Sequence, residues 1–312
     1  MTLPTHARAR GRAAGALYSP HAWREECGVF GLWSPGENLG DLCYLGLFAL
    51  QHRGQESAGI AVTDGLHIDE VKGMGLMTVA FRERRPSLAG HAAIGHVRYS
   101  TFGASHHSNI QPLFAYNHRD GFVGLGHNGN LTNADALKEE LTRTRDCRFQ
   151  TTTDSEVMLN LIATGEEPDL LDRIKSGLSR VTGAYCLVIM TPDRLIGVRD
   201  PMGYRPLCLG KLPGGGYAIS SESCGLDAVK AETLLEFEPG QIIAIDKNGL
   251  SSHSLGKSPV QSTCVFEHIY FARPDSVIEG MSVWRTRFEL GRELAREFKR
   301  EADMVIPVPD TG

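Results

Sequence analysis

What most restricts this chain is its rhythm of short β-prone runs separated by glycine-bearing turns. Runs at 29–33, 58–62, 66–71, 92–99 and 122–126 draw on Val, Ile, Phe, Trp, Leu and small apolar residues, a composition suited to buried or half-buried strands. Asp64-Gly65 separates the second and third of these runs as a hairpin turn would. Further on the pattern is hairpins again. The run 185–190 faces 195–199, and 207–212 faces 217–220 across Gly214-Gly215-Gly216. The run 241–245 turns at Lys247-Asn248-Gly249. Helical periodicity is grouped between these blocks, at 39–50, 134–143, 155–163 and 170–181, with Asp154 placed to cap the third. Antiparallel neighbourhoods with grouped helices predict an α+β fold of stacked sheets with helices outside.

The polar, proline-bearing stretch 251–262 marks a domain boundary, giving a first domain at 27–258 and a second at 259–312. Beyond the boundary, Trp284, Phe288, Gly291, Ala295, Phe298 and Ala302 predict a helix over 283–302, and a strand is expected from Met304. Roughly fifty residues are too few for an ordinary independent domain, so the second is expected to be incomplete. Residues 1–26 are rich in Ala, Arg, Gly and Pro and have no apolar signal core. They read as a tail, or as a leader whose removal would expose Cys27.

A hydrophobic content of 41% and a charged content of 22% are those of a soluble globular protein. The net charge of -5 gives no footprint for nucleic acid or an anionic membrane. Seven scattered cysteines make no disulfide framework and suggest a reduced, cytoplasmic setting.

Four stretches carry chemistry-bearing groups. Cys27 stands where the first strand begins, either as a small buried hydrophobe or as a nucleophile. Arg98-Tyr99-Ser100-Thr101 sets a permanent cation beside hydroxyls, suited to a carboxylate unless it is plain surface charge. His127-Asn128-Gly129-Asn130 reads as a type I′ hairpin turn or as an oxyanion hole made by a side-chain amide and the next N–H. Thr153 and Glu156 have capping-box spacing, and Asp154 between them is also able to hold a substrate ammonium. Together these groups fit hydrolysis of the side-chain amide of an α-amino acid, with glutamine the obvious substrate. The base is open. It is His52, His96 or His127, or the α-amino group of Cys27 itself if residues 1–26 are removed.

Cys27-Gly28-Val29-Phe30-Gly31, Gln51-His52-Arg53-Gly54-Gln55-Glu56, His96-Val97-Arg98-Tyr99-Ser100-Thr101 and His127-Asn128-Gly129-Asn130-Leu131 resemble the glutaminase domain of N-terminal-nucleophile amidotransferases. Asp200-Pro201-Met202-Gly203-Tyr204-Arg205-Pro206 and Tyr270-Phe271-Ala272-Arg273-Pro274-Asp275-Ser276 narrow the resemblance to the amidophosphoribosyltransferase family. That resemblance implies a four-layer αββα sandwich followed by an α/β phosphoribosyltransferase domain. It implies Cys27 as the thioester-forming nucleophile, and Asn128 and Gly129 as the oxyanion hole. Arg98 and Thr101 would hold the glutamine carboxylate, and Asp154 its amino group. Ammonia would then displace pyrophosphate from phosphoribosyl pyrophosphate, with Mg²⁺ on the phosphates. A homo-oligomer is implied, and in some relatives a [4Fe–4S] cluster whose first ligand position falls at Cys264. The rival readings are the glutaminase half of an amino-sugar or asparagine synthase, and a non-catalytic regulatory relative.

Overall fold

The computed structural model describes residues 27–34, 38–99 and 106–307. The expected leader at 1–26, together with Ser100, Thr101 and the stretch 308–312, lies outside the described residues.

The chain begins with β1 (Gly28–Trp33), α1 (Leu39–Ala49), a 3-10 turn at Gln51–Arg53, β2 (Ser57–Thr63), β3 (Ile68–Met74), the short α2 (Met77–Ala80) and β4 (Ala92–Arg98). There follow β5 (Leu113–Asn117), β6 (Gly121–Leu131), α3 (Ala134–Arg145), α4 (Ser155–Ala163), α5 (Leu170–Leu178), β7 (Gly183–Met190) and β8 (Leu195–Arg199). The third group is β9 (Cys208–Lys211), β10 (Tyr217–Ser220), α6 (Ser223–Ala228), β11 (Glu232–Glu236), β12 (Gln241–Asp246) and β13 (Gly249–Ser254). A wide helical turn at Glu267–Phe271, the two-residue strands β14 (Val277–Ile278) and β15 (Met281–Ser282), and α7 (Val283–Glu297) come last.

The strands form a seven-stranded sheet, β11-β9-β10-β1-β4-β2-β3, and a six-stranded sheet, β13-β12-β8-β7-β6-β5. Alternation along β1 shows how they stack. Phe30 and Leu32 join Leu39, Cys43 and Leu47 of α1 and Leu226 of α6. Val29 and Trp33 face the other way and meet Val188 and Leu195 of the second sheet. The far side of that second sheet packs Leu187 and Ile189 against Val157, Leu161 and Ile174 of α4 and α5. These are the layers of an αββα sandwich. α5 shows the sequence logic: Leu170, Ile174 and Leu178 are buried one turn apart, and the Asp169 carboxylate accepts from the Leu171 N–H at 2.8 Å.

Three expectations change in detail. Asn128-Gly129 makes no hairpin turn but continues β6, because β7 pairs with every residue from Gly124 to Leu131. No capping box forms at α4. Asp154 sits at the cap position without a side-chain cap bond, and Glu156 accepts instead from the backbone N–H groups of Gln150 and Thr151. The helix expected over 283–302 stops at Glu297, and residues 304–307 form no strand, since no other described strand pairs with them. The polar run at 251–254 is the edge strand β13, its exposed serines explained by having a neighbour on one side only.

Candidate active site

One end of the space between the sheets is lined by polar groups, and strand alternation decides which. Val29 and Ile94 face this space, so Cys27, His96 and Arg98, each an even number of residues away, face it as well. Their register partners on β2 are Gly59 for His96 and Ser57 for Arg98. From the opposite sheet, β6 turns Gly126 and Asn128 inward, two residues apart, and a Cβ on Gly126 would lie 3.6 Å from Val29. The two sheets therefore approach closely at Val29, two residues along β1 from Cys27.

Cys27 is buried, and its Sγ lies 3.4 Å from the carbonyl of Tyr99. Its own carbonyl accepts a 3.0 Å bond from Arg53 Nε. Arg98 is only 3% exposed, which removes the reading as a solvated surface charge. Its Nη1 is 3.8 Å from Glu56 Oε2. Gly54 has to be glycine here, since a Cβ would come 2.6 Å from the backbone of Val97 and Arg98.

Asn128 is fully buried, and neither atom of its amide has a partner among the described residues. A buried amide left unpaired costs free energy, and a native fold keeps such a group where a ligand or water will satisfy it. The next residue, Gly129, has φ +146°, and a Cβ there would lie 2.1 Å from the Ala184 carbonyl. Asp154 is buried; its Oδ2 accepts from the Leu131 N–H at 2.8 Å, and its Oδ1 lies 3.8 Å from His127 Nδ1.

Peptide alternation gives β6 a further property. β5 pairs with β6 only as far as Leu125, so beyond it the peptide groups turned to that side have lost their ladder. The His127 N–H goes to Gln111 Oε1 at 2.7 Å and the Leu131 N–H to Asp154. Gly129 lies between them in the alternation, which turns its N–H to the same open edge.

The three histidines have other attachments. His52 Nε2 is 2.8 Å from Glu222 Oε1, His96 Nε2 is 2.9 Å from the His127 carbonyl, and His127 Nδ1 is 3.0 Å from Ser155 Oγ. Burial lowers the pKa of His96 to about 3 and also draws His127 below its ordinary value.

Sequence reasoning placed Cys27, Arg98, Asn128, Gly129 and Asp154, and the structure brings them to one end of the sandwich; Thr101 lies outside the described residues. Arg53, Glu222 and Glu267 were missed as a unit. Arg53 is fully buried against both carboxylates. Burial would push Glu222 up, but Arg53 and His52 outweigh that and hold it well below the carboxylate range. The available signal was Arg53 within its motif, but its partners lie more than 160 residues away in sequence. Cys264 is half-buried, and no group of three or more His, Cys, Asp or Glu among the described residues is placed to hold a metal ion. No helix among the described residues is long and apolar enough to cross a membrane.

Residues 96–228 match the family described as "Glutamine amidotransferase domain". Together with the double antiparallel sheet, that match defines a glutamine amidotransferase domain of the N-terminal-nucleophile fold. An amidophosphoribosyltransferase from Mycobacterium bovis is 47% identical over 93% of this chain, and one from Bacillus subtilis 44% over 92%. The solved B. subtilis glutamine phosphoribosylpyrophosphate amidotransferase complexed with ADP and GMP aligns over 91% of the chain with a TM-score of 0.85 and 43% identity. The chain is thus similar to amidophosphoribosyltransferases over more than nine tenths of its own length. It spans 56% of the M. bovis relative, 60% of the B. subtilis one and 61% of that solved chain.

Proposed function

We propose that this chain supplies the glutamine-hydrolysing half of an enzyme that passes ammonia to phosphoribosyl pyrophosphate. The products would be 5-phosphoribosylamine, glutamate and pyrophosphate, in the first committed step of purine synthesis. The observation that carries the reading is the buried amide of Asn128, without a partner among the described residues and facing the space that Cys27 faces from the other sheet.

Arg98, with Thr101, takes the glutamine α-carboxylate, and Asp154 its ammonium, so that the side-chain amide carbon lies against Cys27. Sγ attacks that carbon, and the oxygen gains negative charge. Asn128 Nδ2 and the Gly129 N–H donate to it, a contribution of roughly 3–4 kcal/mol for one such donor. The carbon–nitrogen bond breaks, the nitrogen takes a proton and leaves as ammonia, and water then cleaves the thioester to glutamate. The thiol proton goes to the α-amino group of Cys27, freed by removal of residues 1–26 and titrating near pH 8. Burial draws the pKa of His96 and His127 down, which makes either a weaker base, and His52 is bonded to Glu222; these favour the α-amino group over an imidazole. Mg²⁺ belongs with the pyrophosphate-releasing half. Cys264 offers one thiolate toward a [4Fe–4S] cluster, and no step above depends on it. A cytoplasmic homo-oligomer completes the reading.

The test is the intact mass of the purified protein before and after treatment with diazo-oxo-norleucine. Loss of residues 1–26 with one adduct at Cys27 is expected. An adduct on a chain that retains residues 1–26 would sink the free-amine base, and absence of any adduct on the processed chain would sink the glutaminase reading.

A further inference from the structure

We propose that His96 is a positioning residue for the oxyanion hole, acting as a substitute ladder partner that fixes the peptide joining His127 to Asn128. The inference rests on the glutaminase reading and extends it to a residue that touches neither substrate nor nucleophile.

The argument begins with an unpaired carbonyl. In a β-strand the N–H and C=O of one residue point to the same side. The His127 N–H reaches Gln111 Oε1, on the side where β5 has ended, so its C=O points to that open side too. A buried carbonyl there has no strand to pair with, and a buried orphan is costly. His96 Nε2 lies 2.9 Å from it. The bond crosses from the seven-stranded sheet to the six-stranded one. The two sheets run close together here, since a Cβ on Gly126 would lie 3.6 Å from Val29 and 3.7 Å from the Gly95 carbonyl, which lets the imidazole span the gap.

The chemistry of the ring suits a fixed donor. A carbonyl only accepts, so Nε2 carries the proton, and Nδ1 has no partner among the described residues. Complete burial, with Arg98 and His127 nearby, keeps the ring neutral. The His127 carbonyl belongs to the peptide whose N–H is that of Asn128. With Gln111 on the N–H and His96 on the C=O of His127, both peptide groups that flank His127 are fixed along the open edge, and the second of them leads into Asn128. Cys27 lies on β1's approach and His96 on β4, its immediate neighbour. The bond therefore also sets the spacing between the nucleophile's sheet and the amide's sheet. A shift of about 1 Å at such a site is enough to cost ~10²-fold in rate.

The experiment uses the full-length protein and steady-state glutamine hydrolysis, with kcat and KM resolved. His96→Leu removes the donor, His96→Asn withdraws it by shortening the side chain, and His96→Gln keeps an N–H with the reach of the imidazole. In His96→Leu and His96→Asn, kcat is expected to fall about tenfold or more with KM for glutamine changed less than about twofold, and His96→Gln to recover most of the loss. Circular dichroism checks that each variant is folded, and the Asn and Gln pair alone decides the matter if the Leu variant is not. Full kcat in His96→Asn, or equal loss in the Gln and Asn variants, overturns the assignment. A wild-type protein that hydrolyses no glutamine overturns the glutaminase reading itself.

Discussion

Arg53 holds Glu267, 214 residues further along the chain, through two bonds of 2.8 and 2.9 Å, and the same guanidinium donates through Nε to the carbonyl of Cys27. Both side chains are fully shielded from solvent. Glu222 accepts from the same cation and also from the Ser276 hydroxyl and the Arg273 N–H. The nucleophile residue and the 267–276 stretch are thus fastened to one buried charge cluster. Removing one partner leaves a buried charge uncompensated, which typically costs about 3–5 kcal/mol. Arg53→Met is expected to lose that much in urea unfolding, and Glu267→Gln less, because Glu222 still neutralises the cation. Equal small losses in both variants would mean that the cluster is not holding the fold together.

Gly129→Ala tests the backbone at the open edge of β6. A φ of +146° strains any residue with a side chain, and the added methyl would lie 2.1 Å from the Ala184 carbonyl. Strain alone costs roughly 1–3 kcal/mol, and relief requires β6 and β7 to part at the residue proposed to donate to the oxyanion. Both unfolding free energy and kcat for glutamine hydrolysis are expected to fall. A variant that kept both would show that β6 tolerates a side chain here.

How much of this was legible beforehand depends on range in sequence. The hairpins and the stacked sheets with helices outside follow from local composition and periodicity, and the structure has them; the four-layer αββα order came only from the family resemblance, and the structure has that as well. The Asn-Gly pair misleads when read as a turn, because its local preference is overridden by an eight-residue pairing with β7. Glu156 keeps capping-box spacing but is drawn off by the N–H groups of Gln150 and Thr151. The Arg53 cluster and the His96 bond join residues that are distant in sequence, and no pattern within a single segment encodes them.

Asp154→Asn separates binding from chemistry. If the carboxylate holds the substrate ammonium, neutralising it removes a charge-assisted hydrogen bond worth about 1.5–3 kcal/mol. KM for glutamine should rise by roughly tenfold to a hundredfold, with kcat much less affected. The bond from the Leu131 N–H to this side chain can be kept by the Asn oxygen, so the fold should survive. A fall in kcat at unchanged KM would assign Asp154 to the reaction step instead.

The buried histidines make a signed prediction about pH. Burial lowers His96 from 6.5 to about 3, and His127 is shifted in the same direction. As pH falls through 6.5, the unfolded chain takes up a proton at His96 while the folded chain does not, and the downward shift of His127 acts in the same direction. The contribution of His96 is fully present above the unfolded pKa and is lost on acidification, at about 1.4 kcal/mol per pH unit for its one proton. Between pH 6 and 5 the depressed carboxylate of Glu222 stays charged in both states, because its loss begins only near the ordinary value of 4.5. Over that interval, unfolding free energy measured in urea should fall more steeply in the wild type than in His96→Gln, by the slope that one proton accounts for. Parallel slopes would mean that His96 titrates in the folded protein much as it does in the unfolded chain, and the neutral, proton-fixed imidazole described for it would be wrong.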